Sequence, residues 1–296
     1  MSRETDEAAR YEGINRVIAA IVCVAVLLAF LSGSVTYGRD ARDISHAGCA
    51  SSIHESTEQD IDLSSPDFDL ADVPEYWGDP SAVVHDDEPF FTDEDRVAWA
   101  SVLAAAQVAA AAAEDGAQDG EPYVNVYDSA LERYSDLDRR GRCGTAFALV
   151  GRETMPTAKR EGIGMVRPSG WQIARYPWVD GEYLFNRCHL IGFQLTGENA
   201  NAKNLITGTR SMNIYGMLPY EDDVAYYVRW SGNHVLYRVT PVFEGHNLVA
   251  SGVLIEAESF EDEGEDLSFC VWCYNVEPGV EIDYANGDNR SDGTME

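Results

Sequence analysis

The charges of this chain are segregated, and that limits where a folded core can form. The net charge of −30 over 296 residues is not spread evenly. Residues 1–121 carry 6 basic against 25 acidic side chains, and residues 247–296 carry 1 against 13. Residues 122–246 are nearly balanced, with 14 basic and 13 acidic; within them, 139–210 holds 11 basic and 5 acidic. The net charge therefore comes from the flanks, and the candidate site sits in the one locally basic region. Total charge alone would exclude a nucleic-acid partner, because phosphates bind Lys and Arg. The locally basic stretch removes that exclusion and reads as a binding face. The same split motivates the expectation that acidic residues 50–95 cover the basic groove.

Residues 17–31 contain no polar side chain, and Ser32, Gly33 and Ser34 extend the run. A segment without a polar face is a membrane-targeting element rather than a soluble amphipathic helix. It is shorter than the ~20 residues of a full span, and its small residues fit a signal-peptidase site. Only Arg16 abuts the run, which weakens the positive region a signal peptide needs. Residues 1–35 therefore read as a cleaved signal peptide or as an uncleaved anchor that holds the membrane through 17–35. Either way the remainder lies outside the cytoplasm, secreted or at the cell surface. Residues 36–91 are acidic and rich in Ser, Asp and Pro, and read as a largely disordered linker. Of six cysteines, Cys23 lies in the apolar run and the other five cannot all pair within one chain. Cys270 and Cys273 have the spacing of half a zinc site, without a second pair. Their apolar setting predicts a strand with buried thiols.

Thr92 and Asp95 resemble a capping box and open an Ala-rich helix within 92–121. Alternation predicts a strand over 122–127, an apolar run predicts a buried strand over 144–151, and 167–171 reads as a turn. Pro219 fits the first position of a helix, with Glu221, Asp222 and Asp223 where the helix dipole favours acids. Residues 234–240 and 248–256 read as a hairpin with its histidines on the surface, and 267–274 adds a strand. Elements of both kinds, without regular βαβ alternation, indicate α+β. Residues 288–296 read as a disordered tail.

The chemistry concentrates in Asn186-Arg187-Cys188-His189-Leu190-Ile191-Gly192, the polar run from Glu198 to Asn213, and Glu221. A base, a cation, neutral amides and a carboxylate are the parts needed to cut a phosphodiester with one hard metal ion. A thiol enzyme built on Cys188 and His189 is disfavoured, because adjacent strand residues point to opposite faces.

The run NRCHLIGFQLTGENANAKNLITGTRSMN resembles the bacterial DNA/RNA non-specific endonucleases, secreted or DNA-entry nucleases of the ββα-metal (His-Me finger) class. The likeness covers residues 122–287. It implies a ββα-metal finger core with a mixed or antiparallel sheet, Mg²⁺ as cofactor with Mn²⁺ as a substitute, and DNA as substrate with RNA as a second candidate. It implies sequence-non-specific hydrolysis to 5′-phosphate ends. His189 matches the general base, Arg187 the motif arginine on phosphate, Asn213 the metal-binding asparagine, Asn204 a second active-site amide and Glu221 the acid that orients water. Arg210 and Lys203 are expected to position phosphates or to be plain surface charges. On a continuous helix 213, 217 and 221 would share a face, but Pro219 is expected to kink it. Asn186 replaces the acid of the common motif. Cys188 replaces a glycine, which is costly if φ is positive there. The competing expectation is a catalytically inactive surface module that binds DNA.

Overall fold

A computed structural model describes residues 61–116, 127 and 130–295. The targeting segment 1–35, the first part of the acidic linker and nearly all of the strand read at 122–127 lie outside these residues. The chain divides into two compact units. Of the first, the structure describes helix α1 (Asp93–Gly116), Ala-rich as expected. By length and composition alone it is apolar enough to cross a membrane.

The second unit is built on a six-stranded antiparallel sheet. Its strands are β1 (Ser81–Val83), β2 (Glu132–Tyr134), β3 (Ala146–Val150), β6 (Val235–Val242), β7 (Gly252–Ser259) and β8 (Ser268–Tyr274). They stand in the order β1-β8-β7-β6-β3-β2. A separate antiparallel pair, β4 (Phe185–His189) and β5 (Leu205–Thr209), registers Arg187 on Thr207 and His189 on Leu205. A short helix α2 (Phe193–Thr196) follows β4. After β5 comes a π-helical turn (Met212–Met217) that runs into α3 (Leu218–Ser231). A hairpin of β9 (Val280–Asp283) and β10 (Asp288–Ser291) ends the chain. The fold is mixed α+β with an antiparallel sheet.

Period-two patterning decides which face of the sheet meets what. Val235, Tyr237 and Val239 of β6, Val253, Ile255 and Ala257 of β7, and Phe269, Val271 and Cys273 of β8 enter one core. Val224, Ala225, Tyr227 and Val228 of α3, and Cys188 and Leu190 at the end of β4, close that core from above. Cys270 and Trp272 point the other way, into a second cluster with Phe68, Leu70, Val73, Tyr76 and Phe90. Cys270 and Cys273 are thus free, buried and on opposite faces, as small hydrophobes of a strand should be.

That second cluster corrects the linker expectation. Residues 61–91 carry enough apolar anchors to dock on the sheet, and Ser81–Val83 pairs with Cys273–Val271 of β8. Phe68 stacks on Trp272 with ring centroids 5.6 Å apart. Their acids line solvent while Phe68, Tyr76 and Phe90 pack on the sheet and Phe91 is buried, with Trp77 left exposed, so low mean apolarity did not mean disorder. Their apolar anchors pack on the face that does not carry α3, Ser81 meets the Tyr220 hydroxyl of α3 at 3.1 Å, and none of residues 61–91 lines the cleft around His189. Beneath them, Arg238 and Glu256 form a buried two-pronged pair at 2.8 and 2.8 Å. The residue-288 boundary is corrected too. Asp288–Ser291 pairs with Val280–Asp283 and belongs to the fold.

Two polar side chains fasten the β4–β5–π segment to the sheet. Fully buried Asn275 accepts from the Thr209 N–H at 2.8 Å and donates to the carbonyls of Thr207 and Ala250. Glu277 accepts from the backbone N–H and the hydroxyl of Ser211 at 2.9 and 2.8 Å. It satisfies donors that a helix start leaves unpaired, two residues before Asn213.

Candidate active site

The β4–β5 pair, the π-turn and the start of α3 enclose a cleft of about 720 Å³. His189, Arg187, Asn186, Asn213, Glu221, Arg210 and Arg160 line it. Five of the seven expected site residues therefore converge, and two do not.

His189 ends β4 and is buried. Its Nε2 lies 2.9 Å from the Asn199 carbonyl. A carbonyl only accepts, so Nε2 carries the ring proton and Nδ1 keeps its lone pair. That lone pair faces the Arg160 guanidinium at 3.2 Å. Burial, and secondarily Arg160, push the imidazole down to about 4. The ring is therefore neutral at physiological pH.

Glu221 lies in the first turn of α3 and is buried beside Gly192. Burial, and secondarily Asp222, push its carboxyl up to about 8. Asn213 sits in the π-turn. Eight residues overshoot two α-helical turns by about 80°. The wider i→i+5 turn takes up that excess and brings 213 and 221 to one side. Pro219 falls in the first turn of α3, and the chain stays helical through Met217 and Leu218. The expected kink is replaced by this π-to-α junction, where a missing N–H costs little.

The departures from the motif also find places. Cys188 is absent from the residues with positive φ, so its Cβ carries no backbone cost. Gly208 makes room for it: a Cβ there would lie 2.7 Å from that of Cys188. Burial holds the Cys188 thiol well above its ordinary range. Asn186 accepts from Arg210 at 3.4 Å, and Arg210 grips Asp180 at 2.8 Å. A carboxylate thus stands near the position that Asn186 left neutral.

Three expected residues behave differently from their assignments. Asn204 is fully buried and does not reach the cleft. Its carboxamide accepts from Ile191 N–H at 2.9 Å and donates to Ile191 carbonyl at 3.0 Å. It pins the chain just after His189 and is a positioning residue, not an active-site amide. Lys203 pairs with Asp136 at 2.7 Å, away from the cleft. Arg187 lines the cleft, yet it donates to the carbonyls of Val166 and Gly164 and lies 4.1 Å over the Trp171 ring. It holds the cleft's loop wall through Nε and Nη2. Arg160 escaped sequence reasoning because its loop has no periodic pattern; only the excess of basic residues over 139–210 hinted at it. His234, expected on the surface, is half-buried between Glu153 and Glu261.

The donors fit a hard divalent cation. Asn213 and Glu221 offer oxygen, and the cleft has space for water. Among the described residues no cluster of three His, Cys, Asp or Glu side chains could hold a metal. A closed zinc centre is therefore not built here, whereas Mg²⁺ keeps most of its shell as water and substrate oxygen.

A family model, DNA/RNA non-specific endonuclease, matches residues 124–261. Residues 124–261 thus match the nuclease domain of that family. Among solved structures, NucA from Streptococcus agalactiae with magnesium bound is similar at 20% identity and TM-score 0.54, covering 74% of this chain and 90% of that one. The same protein with no metal bound gives 20% identity and TM-score 0.54 over 75% and 92%. The Sda1 nuclease with bound zinc is 29% identical with TM-score 0.46, over 54% and 80%. No curated protein sequence matches significantly. The matched domain is that of a hydrolytic nuclease, and its antiparallel α+β frame is similar to that of NucA.

Proposed function

We propose that the domain hydrolyses phosphodiester bonds of DNA without sequence preference, with RNA as a second substrate, and that His189 is the general base. One observation carries the reading: a neutral imidazole whose unprotonated Nδ1, met by Arg160 at 3.2 Å, lies in an arginine-lined cleft. With Nε2–H fixed by the Asn199 carbonyl, Nδ1 takes the proton of the attacking water. Arg160 guards that lone pair in the resting site and can turn to a phosphate oxygen when substrate enters. Arg187 and Arg210 face the same charge. Asn213 would hold a divalent cation, Mg²⁺ or Mn²⁺, with Glu221 orienting water beside it. When bound, the cation would supply positive charge next to the scissile phosphate. Attack by water at phosphorus, with departure of the 3′-oxygen, which takes a proton from a water beside Glu221, leaves 5′-phosphate and 3′-hydroxyl ends. Backbone contacts suffice for a cutter that reads no bases.

The test uses the full-length protein with supercoiled DNA, linear DNA and RNA, with and without Mg²⁺. His189→Ala is expected to abolish Mg²⁺-dependent degradation; unchanged cleavage overturns the reading. The proposal includes action outside the cytoplasm, supported by the apolar run 17–31. Fractionation and N-terminal sequencing of the mature chain test that part, and a cytoplasmic, uncleaved product overturns it.

A further inference from the structure

Cys188 stands where the resembling motif has glycine, and its thiol meets a site residue. Sγ lies 2.9 Å from Asn213 Oδ1, 3.4 Å from Met217 Sδ and 3.7 Å from the His189 carbonyl. A thiol has one proton to give. The carboxamide oxygen is the nearest of the three and a better acceptor than a thioether. The S–H therefore donates to Asn213, and among the described residues this is the hydrogen bond that the Asn213 side chain makes.

We propose that Cys188 is a positioning residue for Asn213: its S–H bond fixes which end of the carboxamide faces the cation. The torsion of an asparagine amide is broad and two-fold. Without a donor beside it, the NH₂ end and the oxygen compete for the same place, and NH₂ binds no cation. Cys188 draws the oxygen toward β4, the strand that carries His189. A carbonyl oxygen has two lone pairs, so one accepts the thiol proton and the other stays open to the cleft. The neighbourhood is cut to fit the sulfur. Gly208 leaves the room, since a Cβ there would lie 3.3 Å from Sγ. A glycine at 188 could make no such bond.

This inference rests on reading Asn213 as a cation ligand, and the experiment separates the two. Mg²⁺ binding to the full-length protein is measured by calorimetry, and Mn²⁺ binding by electron paramagnetic resonance, without substrate. Cys188→Ala is expected to weaken binding about five- to tenfold, the scale of one hydrogen bond, with KM for DNA at saturating metal unchanged. Cys188→Ser keeps a donor and should bind within about twofold of the parent. Cys188→Val, which fills the space without a donor, replaces alanine if alanine fails to fold. Parental affinity in both donor-free variants overturns the proposal. So does an equal loss in the serine variant with a native circular-dichroism spectrum, which would make the effect one of packing. Asn213→Ala tests the parent reading. If it keeps full affinity, both readings fall; if it alone loses affinity, only the role of Cys188 falls.

Discussion

The carboxylate of Glu221 rests so close to Gly192 that a Cβ built on residue 192 would overlap its Oε2. Gly192 has φ −60° and ψ 142°, which any residue adopts. The glycine is there for space, not for backbone freedom. Gly192→Ala should therefore fold, at an overpacking cost of about 1–3 kcal/mol, while displacing the Glu221 carboxylate. Nuclease activity should fall by about tenfold or more, equivalent to ~1.4 kcal/mol in the barrier. Steady-state cleavage alongside a thermal melt checks this; an alanine variant with parental activity would show that the carboxylate's position does not matter.

Glu221 sits near 8 without a cation, so below that pH it is largely protonated. Metal ligands must be deprotonated or polarised, and binding then releases the proton. Apparent Mg²⁺ affinity is expected to rise with pH up to about 8, by at most tenfold per unit, and then level off. Raising Mg²⁺ should move the acid limb of activity to lower pH, because the cation stabilises the ionised carboxylate. Glu221→Gln should flatten the pH dependence of Mg²⁺ affinity. A calorimetric pH series on both proteins decides the matter, and an unchanged slope in the glutamine variant counts against it.

Arg160 faces the proton-accepting nitrogen of His189 at 3.2 Å and helps to hold the imidazole down. Removing it has two consequences of different kind. The His189 pKa should rise from about 4 toward its ordinary value, and the phosphate should lose a grip. Arg160→Ala is expected to cut kcat/KM by about 10²-fold or more. Its acid limb should also shift upward. NMR titration of the His189 ring in the metal-free protein reads the first effect independently of turnover, and an unmoved midpoint sinks it.

Much of this site could be read from residue order because the β4–π–α3 segment is local. His189, Arg187, Asn213 and Glu221 lie between positions 186 and 221, and short-range geometry brings them together. Arg160 could not be read, since a loop without periodicity says nothing of where its side chains arrive. Asn204 was misplaced for a related reason: an amide suits a metal or a backbone equally, and only the Ile191 contacts decide. The docking of 61–91 was hidden by its acids. A few aromatics, Phe68, Tyr76 and Phe90, suffice to hold a segment whose average composition reads as disordered. Strands β6 to β8 were legible because alternation survives where both faces are covered by different clusters.

His234 provides a pH-dependent clamp outside the cleft. Its Nε2 meets Glu153 at 2.8 Å and its Nδ1 meets Glu261 at 2.5 Å, joining the chain after β3, the start of β6 and the turn after β7. Burial alone would lower its pKa, but the hydrogen bonds and charges of Glu153 and Glu261 outweigh burial and raise it to about 9. A group whose pKa is raised on folding contributes stability that is complete below its unfolded value, near 6.5. That contribution drains away as pH climbs through about 9. At higher pH the ring is neutral and can donate from only one nitrogen, so one carboxylate loses its partner. His234→Gln should therefore lower the melting temperature clearly at pH 6, and the deficit should shrink steadily toward pH 10. The expected loss at pH 6 is about 1–3 kcal/mol, discounted because Glu261 is partly solvated. Nuclease activity measured well below the melting temperature should be untouched, since the clamp lies outside the cleft. Paired thermal melts across that pH range test the sign: a deficit that stays constant or grows with pH would mean that the charge of the imidazolium plays no part.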